Sequence, residues 1–264
     1  MIASIETLKA VLNKCKGDGT FSALERIYGQ IPRTSCARCG ACCRPPPCIY
    51  TVEFAYLCHA IRRRGLENEH PDLLRHLFHY SWAQWMLPDE HCPFLYEKSC
   101  VIYAWRPLSC RLFGIVTEQA QRENVDRAQS MTDWQVKVFS EEGIELKPDV
   151  FHHVVPRCDR VRDHQERRLA LNPVPLLQDI VQLELSHVPE DEVSVGQSYV
   201  PFDAHLALAI LGPDELISRK ISAMKRYQAG KNPDDTTAEL MQGVTFRFAH
   251  LSYPRQPRRG SCPS

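Results

Sequence analysis

The chain has 264 residues, 44% of them hydrophobic, with 32 basic and 32 acidic side chains. That length allows one large domain or two small ones, and the apolar share is enough for a sizeable core. The balanced charge gives no global attraction to nucleic acid or to a membrane surface, so neither is expected as a partner, and no stretch approaches the roughly 18 uninterrupted apolar residues of a membrane span.

The start of the chain has an early acid, Glu6, and no long apolar run. It does not read as a signal peptide, so the expected compartment is the reducing cytoplasm. Ile5, Leu8, Val11 and Leu12 share one helical face, which predicts a helix over residues 2–14. Cys15 follows as a spare thiol. A second short helix is expected over 21–28, with Leu24 and Ile27 inward, and Pro32 then delivers the chain to a cysteine loop.

Thr51 is the expected N-cap of a helix that closes at Arg62-Arg-Arg-Gly65, a basic last turn followed by a glycine. The arginine run reads as a solvated helix end or as a contact for an anion or acidic partner. Cys58 and His59 inside this helix read as core. Pro71 opens a helix through residue 86, whose His76, His79, Trp82 and Trp85 read as packing rather than as a pocket.

Further on, 115–117 reads as a short strand and 121–142 as an amphipathic helix with Met131, Trp134, Val138 and Phe139. Residues 151–155 have strand character and place His152 and His153 on opposite faces. A helix broken near Pro173 and Pro175 is expected over 161–185, and a short strand over 193–195. Two helices follow, 204–211 and 214–229, the second with Leu216, Ile217, Ile221 and Met224 inward. The tail from residue 252 has a disordered composition.

The fold class expected is mainly α with a few short strands and irregular cysteine-rich loops pinned by metal. The domain reading is an N-terminal helical segment 1–35, a cysteine-cluster metal-binding domain 36–116, a mainly helical region 117–251 and the tail 252–264.

Nine of the 12 cysteines fall between residues 36 and 110. The first group is Cys36-Ala-Arg-Cys39-Gly-Ala-Cys42-Cys43. A Cys-x-x-Cys loop lets two thiolates reach one centre about 2.3 Å from each sulfur. A third Cys at the same spacing, completed by a distant Cys followed by Pro, is more typical of iron–sulfur loops. Cys36, Cys39 and Cys42 supply the loop, and Cys92-Pro93 has the form of the completing residue. Gly40 suits a tight loop that needs positive φ.

Neighbouring side chains point in different directions, so Cys43 need not serve the same atom as Cys42. Cys43, Cys100 and Cys110 can form a second group, with Cys48 as a fourth candidate. Cys58, His59, His91, His152, His153 and Cys158 are weaker candidates, and Cys262 is not assigned to the centre. Arg106 and Arg111 flank Cys110. They can lower a thiolate's pKa, balance a polyanionic cluster, bind a substrate or cofactor, or form a structural ion pair. A disulfide framework is disfavoured in a reducing compartment.

At these residues the sequence resembles the YkgJ-type cysteine-cluster proteins, also described as the CxxCxxCC zinc- or iron-chelating family. The matching text is Cys36 to Arg44, Cys92-Pro-Phe-Leu95, Cys100-Val-Ile-Tyr103 and Arg106-Pro-Leu-Ser-Cys110-Arg111-Leu-Phe113. The resemblance implies metal binding by Cys36, Cys39, Cys42, Cys43, Cys92, Cys100 and Cys110. The same superfamily includes the flagellin lysine N-methylase, which implies an iron–sulfur centre and S-adenosylmethionine as a cofactor candidate. Two departures from the family text are the extra Cys48 after Pro45-Pro-Pro and Gly114, where a Pro often ends the last motif.

The function expected is a metal-binding protein that holds an iron–sulfur cluster of the 4Fe-4S type, or zinc. The alternatives are an iron–sulfur-dependent enzyme, acting by redox chemistry or by methyl transfer from S-adenosylmethionine to protein, and a metal-delivery or maturation factor with a protein partner. The third Cys of the loop, Cys92-Pro93 and the surplus of thiols favour iron–sulfur over zinc.

Overall fold

The computed structural model describes residues 4–35, 40, 43, 48–88, 90–146, 158, 160–163, 165–187 and 199–251. The fold is mainly α, with eleven helices and six two-residue strands among the described residues. The expectations for 151–155, for 193–195 and for the tail from 252 lie outside them, as do Cys36, Cys39 and Cys42.

α1 (Ile5–Gly17) buries Leu8, Val11, Leu12 and Cys15, one face at helical spacing. Cys15 therefore belongs to the helix and its core face. α2 (Thr20–Gly29) buries Phe21, Leu24, Ile27 and Tyr28. Both helices pack on α3 (Thr51–Arg64), which also meets helices from the C-terminal half.

α3 is the central element, and ten of its 14 residues are buried. Its start differs from expectation. Tyr50 is the N-cap and Thr51 is the first helical residue. The caps come from carboxylates instead. Glu184 accepts from the Thr51 and Val52 amides at 3.1 and 2.9 Å, and Glu53 accepts from the Tyr50 amide at 3.3 Å. Orphan amides and the positive pole of the helix both favour this arrangement. Gly65 ends α3 at φ +66°, the left-handed conformation expected of a glycine there.

α4 (Leu66–Glu69) leads to α5 (Leu73–Ala83), which is shorter than expected and contributes Phe78, Trp82 and Ala83 to a second core. That core also holds residues of three C-terminal helices, α9 (Phe202–Leu211), α10 (Pro213–Gln228) and α11 (Pro233–Leu240). α10 buries Leu216, Ala223 and Met224, while Ile217 is 57% exposed. The buried face therefore runs through Lys220 rather than Ile217, one position and about 100° away from Leu216. α11 starts at Asn232-Pro233, with Asn232 Oδ1 accepting from the Asp234 amide at 2.7 Å.

α6 (Leu108–Leu112) is short and α7 (Glu118–Glu141) is long, with Trp134 of α7 63% exposed. Val116 forms only a single bridge, to Leu171. The expected helix over 161–185 is shorter. Residues Arg162–Asp163 are a strand, and α8 runs over Val174–His187. Pro173 and Pro175 explain the boundary, because proline is tolerated only in a helix's first turn.

The strands matter for the cysteine loop. β1 (Thr34–Ser35) pairs antiparallel with β5 (Arg162–Asp163), and β2 (Cys48–Ile49) with β6 (Val200–Pro201). These two ladders grip the chain directly before Cys36 and at Cys48, so both ends of the loop are tied to segments more than 100 positions downstream. β3 (Leu95–Tyr96) and β4 (Ser99–Cys100) form a hairpin. One hydrophobic core runs from Leu8 to Leu251 and includes Phe94, Ile102 and Leu108 beside the cysteines.

Candidate metal centre

The first cysteine group meets the second through the backbone. Gly40, at φ +73°, lies against Leu95, whose Cδ2 would sit 3.3 Å from a Cβ added there. The Cys43 amide donates to the Gly40 carbonyl at 2.8 Å, and the Cys92 amide donates to the Cys43 carbonyl at 2.5 Å. Leu95 in turn faces Cys100 across the hairpin. Gly40, Cys43, Cys92 and Cys100 thus occupy one neighbourhood.

The hairpin turn is Glu97-Lys98, both in the left-handed region at φ +46° and +66°. A tight two-residue hairpin needs that backbone, and residues other than Gly, Asn or Asp adopt it at a cost. Packing of Leu95 on Gly40 and of Cys100 on the core holds the turn in place.

Cys110 sits in α6, and α6 is placed by a buried carboxylate. Glu53 Oε1 accepts from the Leu108 amide at 2.7 Å and from the Tyr28 hydroxyl at 2.8 Å. Glu53 is 2% exposed, and burial pushes its carboxyl above the usual range even though its hydrogen bonds oppose the shift. Burial, and then the Glu53 charge, push the Tyr28 phenol up as well.

Arg111 closes the same cluster. Its guanidinium lies 4.4 Å from the Tyr28 ring centre, and its Nε and Nη2 donate to the Arg106 and Ala104 carbonyls, each at 2.6 Å. Arg106 lies 3.6 Å from the Tyr103 ring centre and donates to the Tyr103 carbonyl at 3.1 Å. Both arginines therefore hold the turn that leads into α6, a role in which bidentate donors and planar stacking suit Arg over Lys.

Cys48 stands in β2 opposite Pro201, and its carbonyl accepts from Ser109 Oγ at 3.3 Å, which ties β2 to the Cys110 helix. Burial, then the Asp203 carboxylate, push the Cys48 thiol up to about 12. Burial, then the charges of Asp203, Cys92, Glu90 and Cys43, push the Tyr80 phenol up too. Tyr80 thus feels the charges of Cys43 and Cys92, and Asp203 acts on both Tyr80 and Cys48. Asp203 is 4% exposed, and its Oδ1 is a buried oxygen with no hydrogen-bond partner.

The weaker candidates separate. Cys58 is fully buried on α3, and burial raises its pKa. His91 is exposed. His59 stacks on Phe21 with ring centres 5.1 Å apart. Cys158 packs on Gly114, where an added Cβ would meet the Cys158 Cβ at 2.8 Å; at φ +81° and that approach only glycine fits. The departure from the family text at Gly114 thus has a local cause. His152, His153 and Cys262 lie outside the described residues.

Sequence reasoning did not single out Glu53, Glu184, Asp203 or Lys220. A signal existed for Glu53, which stands three residues after Tyr50 at a helix start, the N3 place of a capping box. Asp203 and Glu184 gave none, because an acid in an apolar helix looks the same in sequence whether it faces water or a core.

Among the described residues, no three His, Cys, Asp or Glu side chains lie close enough to hold a metal ion by themselves. The donor set still fits a thiophilic metal. Cys43 and Cys92 adjoin, no disulfide joins two described cysteines, and the orphaned Asp203 oxygen lies near Cys48. Among the described residues, no helix is long and apolar enough to cross a membrane.

No curated protein and no solved structure matches the chain. A family model does match, over residues 35–132, which spans the Cys36 loop, the Cys92–Cys100 segment, the Cys110 helix and the first 15 of the 24 residues of α7. Over that segment the chain is similar to the CxxCxxCC family, described as "Putative zinc- or iron-chelating domain".

Proposed function

We propose that the chain holds an iron–sulfur cluster through Cys36, Cys39, Cys42, Cys43, Cys92, Cys100 and Cys110, with one thiol or more of this set left for a second centre or for redox exchange. The observation that carries the reading is the Cys92 amide on the Cys43 carbonyl, which brings Cys92 to the end of the first cysteine loop. A family description naming iron or zinc supports the metal, and the thiol number favours a cluster over a single four-thiolate ion.

When bound, the cluster supplies electron transfer or a Lewis-acidic iron. The protein's part is to deprotonate and arrange the thiols. Glu53 sets the start of the Cys110 helix, the two ladders fix both ends of the Cys36 loop, and Arg106 and Arg111 fix the turn before Cys110. Cys48, tied to the Cys110 helix through Ser109, is a further candidate for this set. Because the free thiols must lose protons to bind, folding of the loop and metal uptake are coupled.

The test is anaerobic purification followed by elemental analysis and an optical spectrum of the same sample. Iron with acid-labile sulfide and a broad band near ~400 nm is expected for a thiolate-held cluster. A colourless protein with about one or two zinc ions per chain would replace iron–sulfur by zinc at the same thiols. A folded protein free of both metals would overturn the reading.

A further inference from the structure

The arginine run at the end of α3 is not used by the cysteine centre. Its three members go to different places. Arg64 lies 5.7 Å from the Trp105 ring centre. Arg62 and Arg63 instead line a surface cavity of about 470 Å³, together with His59 of the same helix and Lys16 of α1. Two helix ends far apart in sequence therefore bring three permanent cations and an imidazole to one hollow, and none of these four lining groups is acidic. Glu25 of α2 acts on the same imidazole, so this acid faces the three cations there.

We propose that this cavity is a binding site for a small molecule carrying two or more phosphate or carboxylate groups. Arg62 and Arg63 supply planar donor forks that match either oxyanion, and Lys16 adds a point charge. The volume falls in the range of small-molecule sites, larger than one inorganic phosphate needs. The backing of His59 on Phe21 fixes the imidazole at the wall.

The charges around His59 set the pH behaviour. Burial, then Lys16, Arg63 and Arg62, hold its pKa below the ordinary value, while Glu25 of α2 opposes them. Glu25 also accepts from the Tyr56 hydroxyl at 2.9 Å. An anion in the cavity offsets the three cations, so it favours protonated His59. Binding therefore takes up a proton and tightens as pH falls through the histidine range.

Isothermal titration calorimetry on the full-length, metal-loaded protein tests this, with inorganic phosphate, a sugar bisphosphate and tricarballylate as probes at low salt. The sugar bisphosphate or tricarballylate, each with two or more anionic groups, is expected to bind more tightly than inorganic phosphate. The preferred probe identifies phosphate or carboxylate as the source. The double variant Arg62→Ala/Arg63→Ala should weaken binding about 10-fold or more, as loss of two charge-assisted contacts does, while Arg64→Ala changes it less than about twofold. His59→Gln should abolish the proton uptake read from two buffers of different ionisation enthalpy. An unchanged metal content and circular dichroism spectrum in each variant show that the fold is intact. Failure of all three probes to bind overturns the proposal. So does equal weakening by Arg64→Ala and the double variant, which would mean a diffuse surface field.

Discussion

The Leu108 amide donates to Glu53 Oε1 at 2.7 Å across 55 positions of chain, and this bond sets where the helix carrying Cys110 begins. The same carboxylate takes the Tyr28 hydroxyl. In Glu53→Ala both buried donors lose their acceptor, which costs about 3 kcal/mol or more. Glu53→Gln keeps one acceptor oxygen and should cost less. Urea unfolding midpoints measure both, and metal content per chain should fall further in Glu53→Ala than in Glu53→Gln. Because burial raises the folded carboxyl's pKa, Glu53 favours folding at low pH, and this part of the stability is lost as pH rises through the folded value. Glu53→Gln should remove that component.

The cysteines should divide by function. Cys43→Ser and Cys92→Ser are expected to lose most of the bound metal, measured by elemental analysis. Cys15→Ala and Cys58→Ala should retain it and cost only about 1 kcal/mol each, as small buried truncations do. Burial, then Asp18, push the Cys15 thiol up to about 12. In the folded protein it should therefore resist thiol reagents at pH 8 and react only after denaturation. Full metal retention in Cys92→Ser would remove that residue from the ligand set.

Gly114 and Gly143 share the left-handed backbone but differ in surroundings. Gly143, at φ +73°, has nothing within 4 Å of an added Cβ, whereas Gly114 meets Cys158 at 2.8 Å. Gly143→Ala should cost about 1 kcal/mol from backbone conformation alone. Gly114→Ala should cost about 2–3 kcal/mol, because Cys158 must move as well. Thermal unfolding of the two variants side by side separates the contributions.

Asp203 and Lys220 form a second titrating pair. Burial pushes Asp203 up to about 6 against the pull of Lys220, and burial pushes Lys220 down to about 8 against the pull of Asp203. The Lys220 ammonium lies 5.4 Å from the Trp85 ring centre and 5.6 Å from that of Phe139. Relative to unfolded values of about 4 and about 10.4, stability should fall as pH rises from about 4 to about 6 and recover as pH rises from about 8 to about 10. Asp203→Asn should flatten the first slope and Lys220→Met the second. Denaturation midpoints across this pH range check both, and an acid-side slope that persists in Asp203→Asn would assign it to other carboxyls.

The helical faces were legible because they are local. Leu8, Val11 and Leu12 repeat at helical spacing, and Leu24 and Ile27 do so in α2. The end of α3 was legible for the same reason, since Gly65 supplies the one conformation that closes it. The reading failed where the decisive partner was remote. Thr51 looked like a cap, yet the caps of α3 come from Glu53 and from Glu184, 133 positions away from Thr51. Ile217 looked inward, yet the buried face of α10 was chosen by its packing on α5 and α9. Asn232-Pro233 was a local start signal that went unread.

The sequence alone determined the chemistry on offer: seven clustered thiols, the first of them in a Cys-x-x-Cys-x-x-Cys loop, the Cys92-Pro93 pair, and a mainly helical chain. Spacing along one chain is enough for that, because a thiolate loop and a helical face each close within a few residues. Only the tertiary structure decided what holds the site. The β1–β5 and β2–β6 ladders at the ends of the cysteine loop, the Glu53 bond to the Cys110 helix and the burial of Asp203 beside Cys48 all join residues 55 or more positions apart. Their energies come from exclusion of water, which belongs to the assembled environment and not to any residue in it.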